Sequence, residues 1–154
     1  MAQQALAHRF ATTRAEWIDG TRLVVVPRHT DERGCLIALD RDQSLPFDPR
    51  RVYCIYQGST GAVRGEHAIS AHCAFVALQG GVTVDLDNGQ EQASIRLSTP
   101  DRALCIHAGV WLRIRDLAAA TIVLVAASRP YAQCEYYERP NRNLLTAFAQ
   151  ESWR

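Results

Sequence analysis

A chain of 154 residues with 47% apolar and 21% charged side chains has the composition of one average globular domain, so neither disorder nor a fibrous architecture fits it. Its formal charge of +1, with no cluster of arginines or lysines, excludes the long-range field that gathers nucleic acid or an anionic membrane. The five cysteines, Cys35, Cys54, Cys73, Cys105 and Cys134, are odd in number, far apart and without a C-x-x-C pair; they are expected as reduced thiols filling small apolar gaps.

The first 17 residues, MAQQALAHRFATTRAEW, hold no apolar run long enough for a signal peptide and read as a weak helix within an N-terminal extension over 1–20. No segment approaches the roughly 18 apolar residues of a spanning helix, so the expectation is a cytoplasmic protein without membrane contact. From residue 21 short β-rich runs recur: TRLVVV, GCLIALD, RVYCIY, CAFVALQ, GVTVDLD, ASIRLS, ALCIH, VWLRIR and TIVLVAAS, with Pro27, Pro46, Pro100 and Pro130 between them. This spacing predicts an all-β antiparallel sandwich or barrel over 21–140, because no amphipathic helical segment separates the strands as an α/β fold requires. The first run, TRLVVVP, could exchange between subunits and so cover an otherwise open sheet edge.

In RGEHAISAHCAF a strand places a histidine, His67, with Ile69 two positions further along the same face. The stretch TVDLDNGQEQASIRL predicts a hairpin: Val82, Val84 and Leu86 alternate, Asp87-Asn88-Gly89 supplies the turn, and Ile95 and Leu97 resume the alternation. At the C-terminus NRNLLTAFAQE predicts a short helix within 141–154, capped by Asn141 or Asn143, with Leu144, Leu145 and Phe148 as its apolar stripe.

Strand parity says which side chains share a face. Arg51, Tyr53 and Ile55 oppose Val52, Cys54 and Tyr56; Val110, Leu112 and Ile114 oppose Trp111, Arg113 and Arg115. Two linings of a barrel lumen are therefore available, one aliphatic and one rich in Arg, Tyr and Trp. The second suits a polar, aromatic-walled pocket, while the plainer reading turns those residues to solvent.

DERGCL, PFDPRRVY, RGEHA, GVW and ASRPY followed by CEYY carry, in order, the patterns D-x-R-G-x-L, P-F-x-x-x-R-V-Y, R-G-x-H-A and A-S-x-x-Y. From about Asp31 to Tyr137 they resemble the cupin-fold nucleotide-sugar 3,4-ketoisomerases, which act on dTDP-4-dehydro-6-deoxyglucose. The resemblance implies a cupin jelly-roll barrel with a short C-terminal helix, a homodimer, no metal or other cofactor, and a histidine-based isomerisation within dTDP-sugar biosynthesis. It also implies a motif R-G-x-H-A-H with two working histidines. Here the second is Ile69, and the position after the tryptophan, often histidine in the family, is Leu112.

Moving a ketone from C4 to C3 of a hexose needs a base for the C3 proton, an acid to supply one at C4, and groups that hold the enediolate oxygens. A histidine near its unperturbed pKa of about 6.5 suits both transfers, which makes His67 the expected base. Arg64 is expected to stabilise the enediolate or grip a phosphate, and Tyr53 to donate to a sugar oxygen. A lone strand histidine is otherwise most often a hydrogen-bonded structural residue. With Ile69 inert, either His67 shuttles the proton alone, or His72 takes the vacant role, or isomerisation is lost. Parity opposes His72, since residues 67 and 72 differ by an odd number, and only a bulge would bring it inward. Arg33, Arg51, Trp111 and Arg113 are candidates for the diphosphate and base of a dTDP-linked keto-sugar. Metal binding is disfavoured because His67 lacks a matching histidine and carboxylate, and no regular spacing joins it to His72 and His107. The rival readings are a non-catalytic cupin that binds nucleotide sugars and a relative that epimerises C3.

Overall fold

The structure, a computed structural model, describes residues 18–41 and 43–148. The strands are, in chain order, β1 (Thr21–Val25), β2 (Arg28–Asp31), β3 (Gly34–Ile37), β4 (Arg51–Tyr56), β5 (Arg64–Ile69) and β6 (Cys73–Gln79). They continue with β7 (Val82–Asp87), β8 (Gln92–Leu97), β9 (Arg102–Ile106), β10 (Trp111–Arg115), β11 (Ile122–Ala127) and β12 (Tyr136–Tyr137), followed by one helix, α1 (Arg142–Phe148). Two five-stranded antiparallel sheets result, ordered β1-β9-β6-β11-β4 and β12-β5-β10-β7-β8, with β2 and β3 forming a separate hairpin. This is the all-β cupin jelly roll expected above.

Alternation along the strands builds the core between the sheets. Val82, Val84 and Leu86 on β7 meet Leu97, Ile95 and Ala93 on β8 in register, all buried, as the predicted hairpin requires. The turn closes through Asn88 Oδ1, which accepts the Gln90 and Glu91 amides at 2.8 Å, while Gly89 sits at φ +87°. From the other sheet Phe75, Leu104, Ile106, Val123 and Val125 complete the interior.

β6 does not alternate: Cys73 to Ala77 are all buried. Its outer face is covered by the connection from β3 to β4, whose Leu45 and Phe47 pack on Ala74, Cys105 and Ala126. A strand buried on both faces reads as a continuous apolar run. The cysteines divide accordingly. Cys73 and Cys105 fill core positions, but Cys35 and Cys54 are exposed, which corrects the expectation that all five fill apolar gaps.

β1 pairs with β9 of its own chain and lies at the sheet edge, as β4 does on the other side. Ile18, within the stretch read as an extension, belongs to the main core; the helix expected before it lies outside the described residues. At the other end Asn141 Oδ1 accepts the Leu144 amide at 3.2 Å and so caps α1, and Leu145 docks on the core.

Candidate active site

Between the sheets a cavity of about 530 Å³ opens to solvent. β4 contributes Arg51, Tyr53 and Ile55, β5 contributes Arg64, His67 and Ile69, and β10 contributes Leu112 and Ile114. Phe75 of β6 and Tyr136 of β12 complete the walls. The volume lies in the range of small-ligand sites, and the lining combines apolar walls with a few convergent polar groups.

Strict alternation would turn Arg64 and His67 to opposite faces. A bulge prevents this. His67 pairs with Leu112 and Gly65 with Arg113, so Glu66 is the extra residue of β5 opposite an uninterrupted β10. Gly65 and Glu66 accommodate it with φ of +80° and +61°. A Cβ on Gly65 would lie 2.9 Å from both the Leu112 side chain and the Leu112 carbonyl oxygen, so glycine is needed for space as well as conformation. Beyond the bulge Arg64 pairs with Ile114, whose side chain faces inward, and the arginine joins the histidine at the cavity.

Burial pulls the His67 pKa below the ordinary imidazole value, with its own backbone opposing weakly. The ring is therefore neutral at neutral pH, the form a general base requires. Its Nδ1 is buried and makes no hydrogen bond. The edge of the ring meets Tyr136 at a centroid distance of 4.9 Å. Tyr53 is driven the other way: burial raises its pKa, reinforced by Cys73 and opposed by Arg51, so it remains a hydroxyl donor. The Arg51 guanidinium lies 4.5 Å from the Tyr53 ring centroid and 4.9 Å from that of Tyr131. Among the described residues no three His, Cys, Asp or Glu side chains converge as a metal-binding group.

The structure brings together His67, Arg64, Tyr53 and Arg51 and places the other sequence candidates elsewhere. His72 follows β5 and is absent from the cavity wall. Its Nδ1 accepts the Ala108 amide at 3.0 Å, its backbone N–H donates to Ser128 Oγ at 2.8 Å, and its ring packs between those of His107 and Phe47. The bulge that parity left open does occur, but upstream of His67, and it redirects Arg64 instead. Arg33 stands at the tip of the β2–β3 hairpin, its side chain 86% exposed and paired with Asp31.

Trp111 and Arg113 lie on the opposite face of β10 from the cavity. That face borders a separate hollow of about 630 Å³ between β7, β8 and the segment after β12. Asp85 explains the outward turn. Arg113 Nε and Arg115 Nε both donate to Asp85 Oδ2, at 2.9 and 2.8 Å, and Ser94 Oγ donates to Oδ1. Burial alone would raise the Asp85 pKa, but these donors outweigh it and hold the carboxyl below its usual range. The lumen thus takes the Arg-and-Tyr face of β4 but the aliphatic face of β10.

Residue-level reading missed Tyr136. The doublet Tyr136-Tyr137 forms a strand of only two residues, too short for an alternation signal, although the CEYY stretch had already entered the resemblance. Its register settles its position: Tyr136 stands opposite Ile69 and Tyr137 opposite Ala68.

Comparison with known proteins gives a consistent result. A family model described as WxcM-like, C-terminal (FdtA) matches residues 19–147. TDP-4-oxo-6-deoxy-α-D-glucose-3,4-oxoisomerase of Aneurinibacillus thermoaerophilus is 32% identical over 107 residues, covering 69% of this chain and 77% of that protein. A variant of the 3,4-ketoisomerase QdtA of Thermoanaerobacterium thermosaccharolyticum, solved in complex with TDP-4-keto-6-deoxyglucose, superposes with a TM-score of 0.74 at 25% identity, over 88% of this chain and 98% of that one. The TDP-quinovose 3,4-ketoisomerase WlaRB of Campylobacter jejuni superposes with a TM-score of 0.74 at 27% identity, over 84% of this chain and 99% of that one.

Proposed function

The chain belongs to the WxcM-like, C-terminal (FdtA) family, and on that premise we propose that it is an isomerase that moves the ketone of dTDP-4-dehydro-6-deoxyglucose, or of a similar nucleotide-linked keto-sugar, from C4 to C3. The observation that carries this reading is His67, held neutral by partial burial on the wall of a cavity that two arginines also face.

His67 takes the C3 proton. The electron pair of that bond forms the C3–C4 double bond, and the carbonyl electrons move onto O4. The fixed positive charges of Arg64 and Arg51 stabilise the enediolate. Tyr53, held as a hydroxyl, donates a hydrogen bond to a sugar oxygen. The imidazolium of His67 then returns its proton at C4 as the C3 carbonyl forms, and in net terms the O3 proton ends on O4, so that the C3 hydroxyl becomes the ketone and the C4 ketone the hydroxyl. C3 and C4 are adjacent, so one imidazole on one side of the ring reaches both. Arg33, Trp111 and Arg113 stand away from this cavity.

Incubation with dTDP-4-dehydro-6-deoxyglucose in deuterated water tests the reading. A 3-keto product, with deuterium at C3 or C4 wherever solvent exchanges with the imidazolium, supports it. Unlabelled and unrearranged sugar after long incubation at high enzyme concentration refutes it, and label at C3 with the ketone still at C4 identifies a C3 epimerase instead.

Ile69 and Leu112 favour one rival, a nucleotide-sugar-binding protein without catalysis, because apolar groups beside an enediolate do not stabilise its charge. That reading requires saturable dTDP-sugar binding with no turnover, which calorimetry and the labelling experiment distinguish together.

The protein is read as a cytoplasmic homodimer that binds no nucleic acid. Support for the dimer comes from the open β4 edge, whose outward Val52 and Tyr56 are each 62% exposed, and from the β2–β3 hairpin, which is exposed along most of its length. The charge of +1 and five free cysteines fit the rest of the reading. A monomer in sedimentation analysis refutes the dimer.

A further inference from the structure

We propose that Tyr136 supplies the second proton-transfer group of this active site, at the place where Ile69 leaves none. The proposal rests on the ketoisomerase reading and extends it to the sugar oxygens.

Isomerisation moves two kinds of proton. One leaves C3 and one arrives at C4; in addition O4 gains a proton and O3 loses one. His67 accounts for the carbon side. An oxygen-side group must give a proton as the C4 carbonyl becomes an enol and take one back as the C3 carbonyl forms. Ile69 has no exchangeable proton, Leu112 has none, and Tyr53 is strongly held in its protonated form.

Tyr136 meets the geometric requirements. It is the direct cross-strand partner of Ile69 in the β12–β5 pair, and directly opposed residues project from the same face of a sheet. Both side chains line the cavity. Its ring touches that of His67, so carbon-side and oxygen-side groups stand next to each other at 4.9 Å between centroids. Arg51, a permanent cation, lines the same cavity beside it. At 43% exposure it is open to an entering ligand.

The step balances without a co-reactant. As His67 removes the C3 proton, the C3–H electrons form the C3–C4 double bond, the C4–O π electrons go to O4, and O4 takes the phenolic proton of Tyr136. The phenolate, beside Arg51, then takes the O3 proton; the O3 electrons form the C3 carbonyl, and the double-bond electrons take the proton that His67 returns at C4. Imidazole and phenol end as they began.

The test compares wild type, Y136F and Y136F/I69H for kcat and KM on dTDP-4-dehydro-6-deoxyglucose, dTDP affinity by calorimetry, and melting temperature. We expect Y136F to lose about 100-fold or more in kcat, with dTDP affinity and melting temperature retained, and a histidine introduced at position 69 to restore about 10-fold or more, since that side chain faces the same space. Y136F within about 5-fold of wild-type kcat overturns the role of Tyr136 and leaves the ketoisomerase reading intact. Loss of kcat with weakened dTDP binding and a lowered melting temperature, or loss that I69H does not recover, makes Tyr136 a packing residue and also overturns it. A wild type that neither moves the ketone nor takes up deuterium overturns the underlying reading and this proposal with it.

Discussion

Arg64 and His67 share one face of β5 although three positions separate them, because the bulge at Glu66 inserts one residue that β10 does not match. The constellation of a cation beside a base is thus a property of backbone conformation at two residues, Gly65 and Glu66, both at positive φ. These two positions respond differently to substitution.

Gly65→Ala puts a methyl group 2.9 Å from the Leu112 carbonyl oxygen at φ +80°. The expected cost is about 1–3 kcal/mol, with turnover falling further than stability because Arg64 and His67 lose their common direction. Glu66→Gly relieves the left-handed strain of an exposed residue while loosening the unfolded chain, so its net effect is expected within about 1 kcal/mol of zero. Urea denaturation of the two variants measures the contrast. Equal destabilisation would show that the bulge is not what glycine protects here.

His67→Asn keeps a polar side chain of similar reach and removes the base; kcat is expected to fall by about 10²–10⁴-fold with dTDP binding retained. The pH profile carries a sign. Catalysis needs the neutral imidazole, so kcat/KM falls as pH drops through the His67 pKa, and burial places that value below the ordinary 6.5 or so. The acid limb is therefore expected on the low side of pH ~6.5 in the free enzyme. A limb centred above pH ~7 assigns the base to another group.

Legibility in the sequence follows from where each physical signal resides. β7 and β8 announce themselves because one face of the hairpin packs on the core and the turn needs a left-handed residue, which Gly89 supplies at φ +87°. β2, RHTD, is exposed along its whole length and carries no apolar alternation to read. The inward face of β10 was undetermined, since Leu112 with Ile114 and Trp111 with Arg113 form equally coherent rows. The choice is made by Asp85, on the neighbouring β7, which anchors Arg113 and Arg115 on the outer side. Parity did place Arg51 with Tyr53 and did set His72 against His67. Parity alone does not predict Arg64 beside His67, because alternation assumes an unbroken ladder and the bulge at Gly65-Glu66 breaks it.

Asp85→Asn removes the charge that Arg113 and Arg115 share while keeping the shape. Its carboxylate side chain is 12% exposed, but the two arginines are 41% and 38% exposed, so solvent screens much of the attraction. A loss of about 1–2 kcal/mol is expected, larger at low ionic strength than at high. Thermal melts across a salt series check this, and a loss that does not shrink with salt would assign the effect to packing.

His72 offers the sharpest link between pH and stability. Its Nδ1 accepts the Ala108 amide, which only the unprotonated ring can do at that nitrogen. Burial, with His107 and Arg129 adding to it, pushes its pKa down to about 3. In the unfolded chain the same ring titrates near the ordinary value of about 6.5. Between these values the unfolded state binds the extra proton, so stability from this residue is fully present above about pH 6.5 and is lost progressively as pH falls toward 3. The loss is on the order of 3–5 kcal/mol. His72→Gln, which can accept a hydrogen bond but cannot titrate, is expected to start less stable at neutral pH and to show a flatter decline over that window, with a slope smaller by about 1.4 kcal/mol per pH unit. Urea denaturation at a series of pH values reads that slope directly. Parallel slopes for wild type and variant would mean that the ring is already protonated in the native protein, which the hydrogen bond from Ala108 forbids.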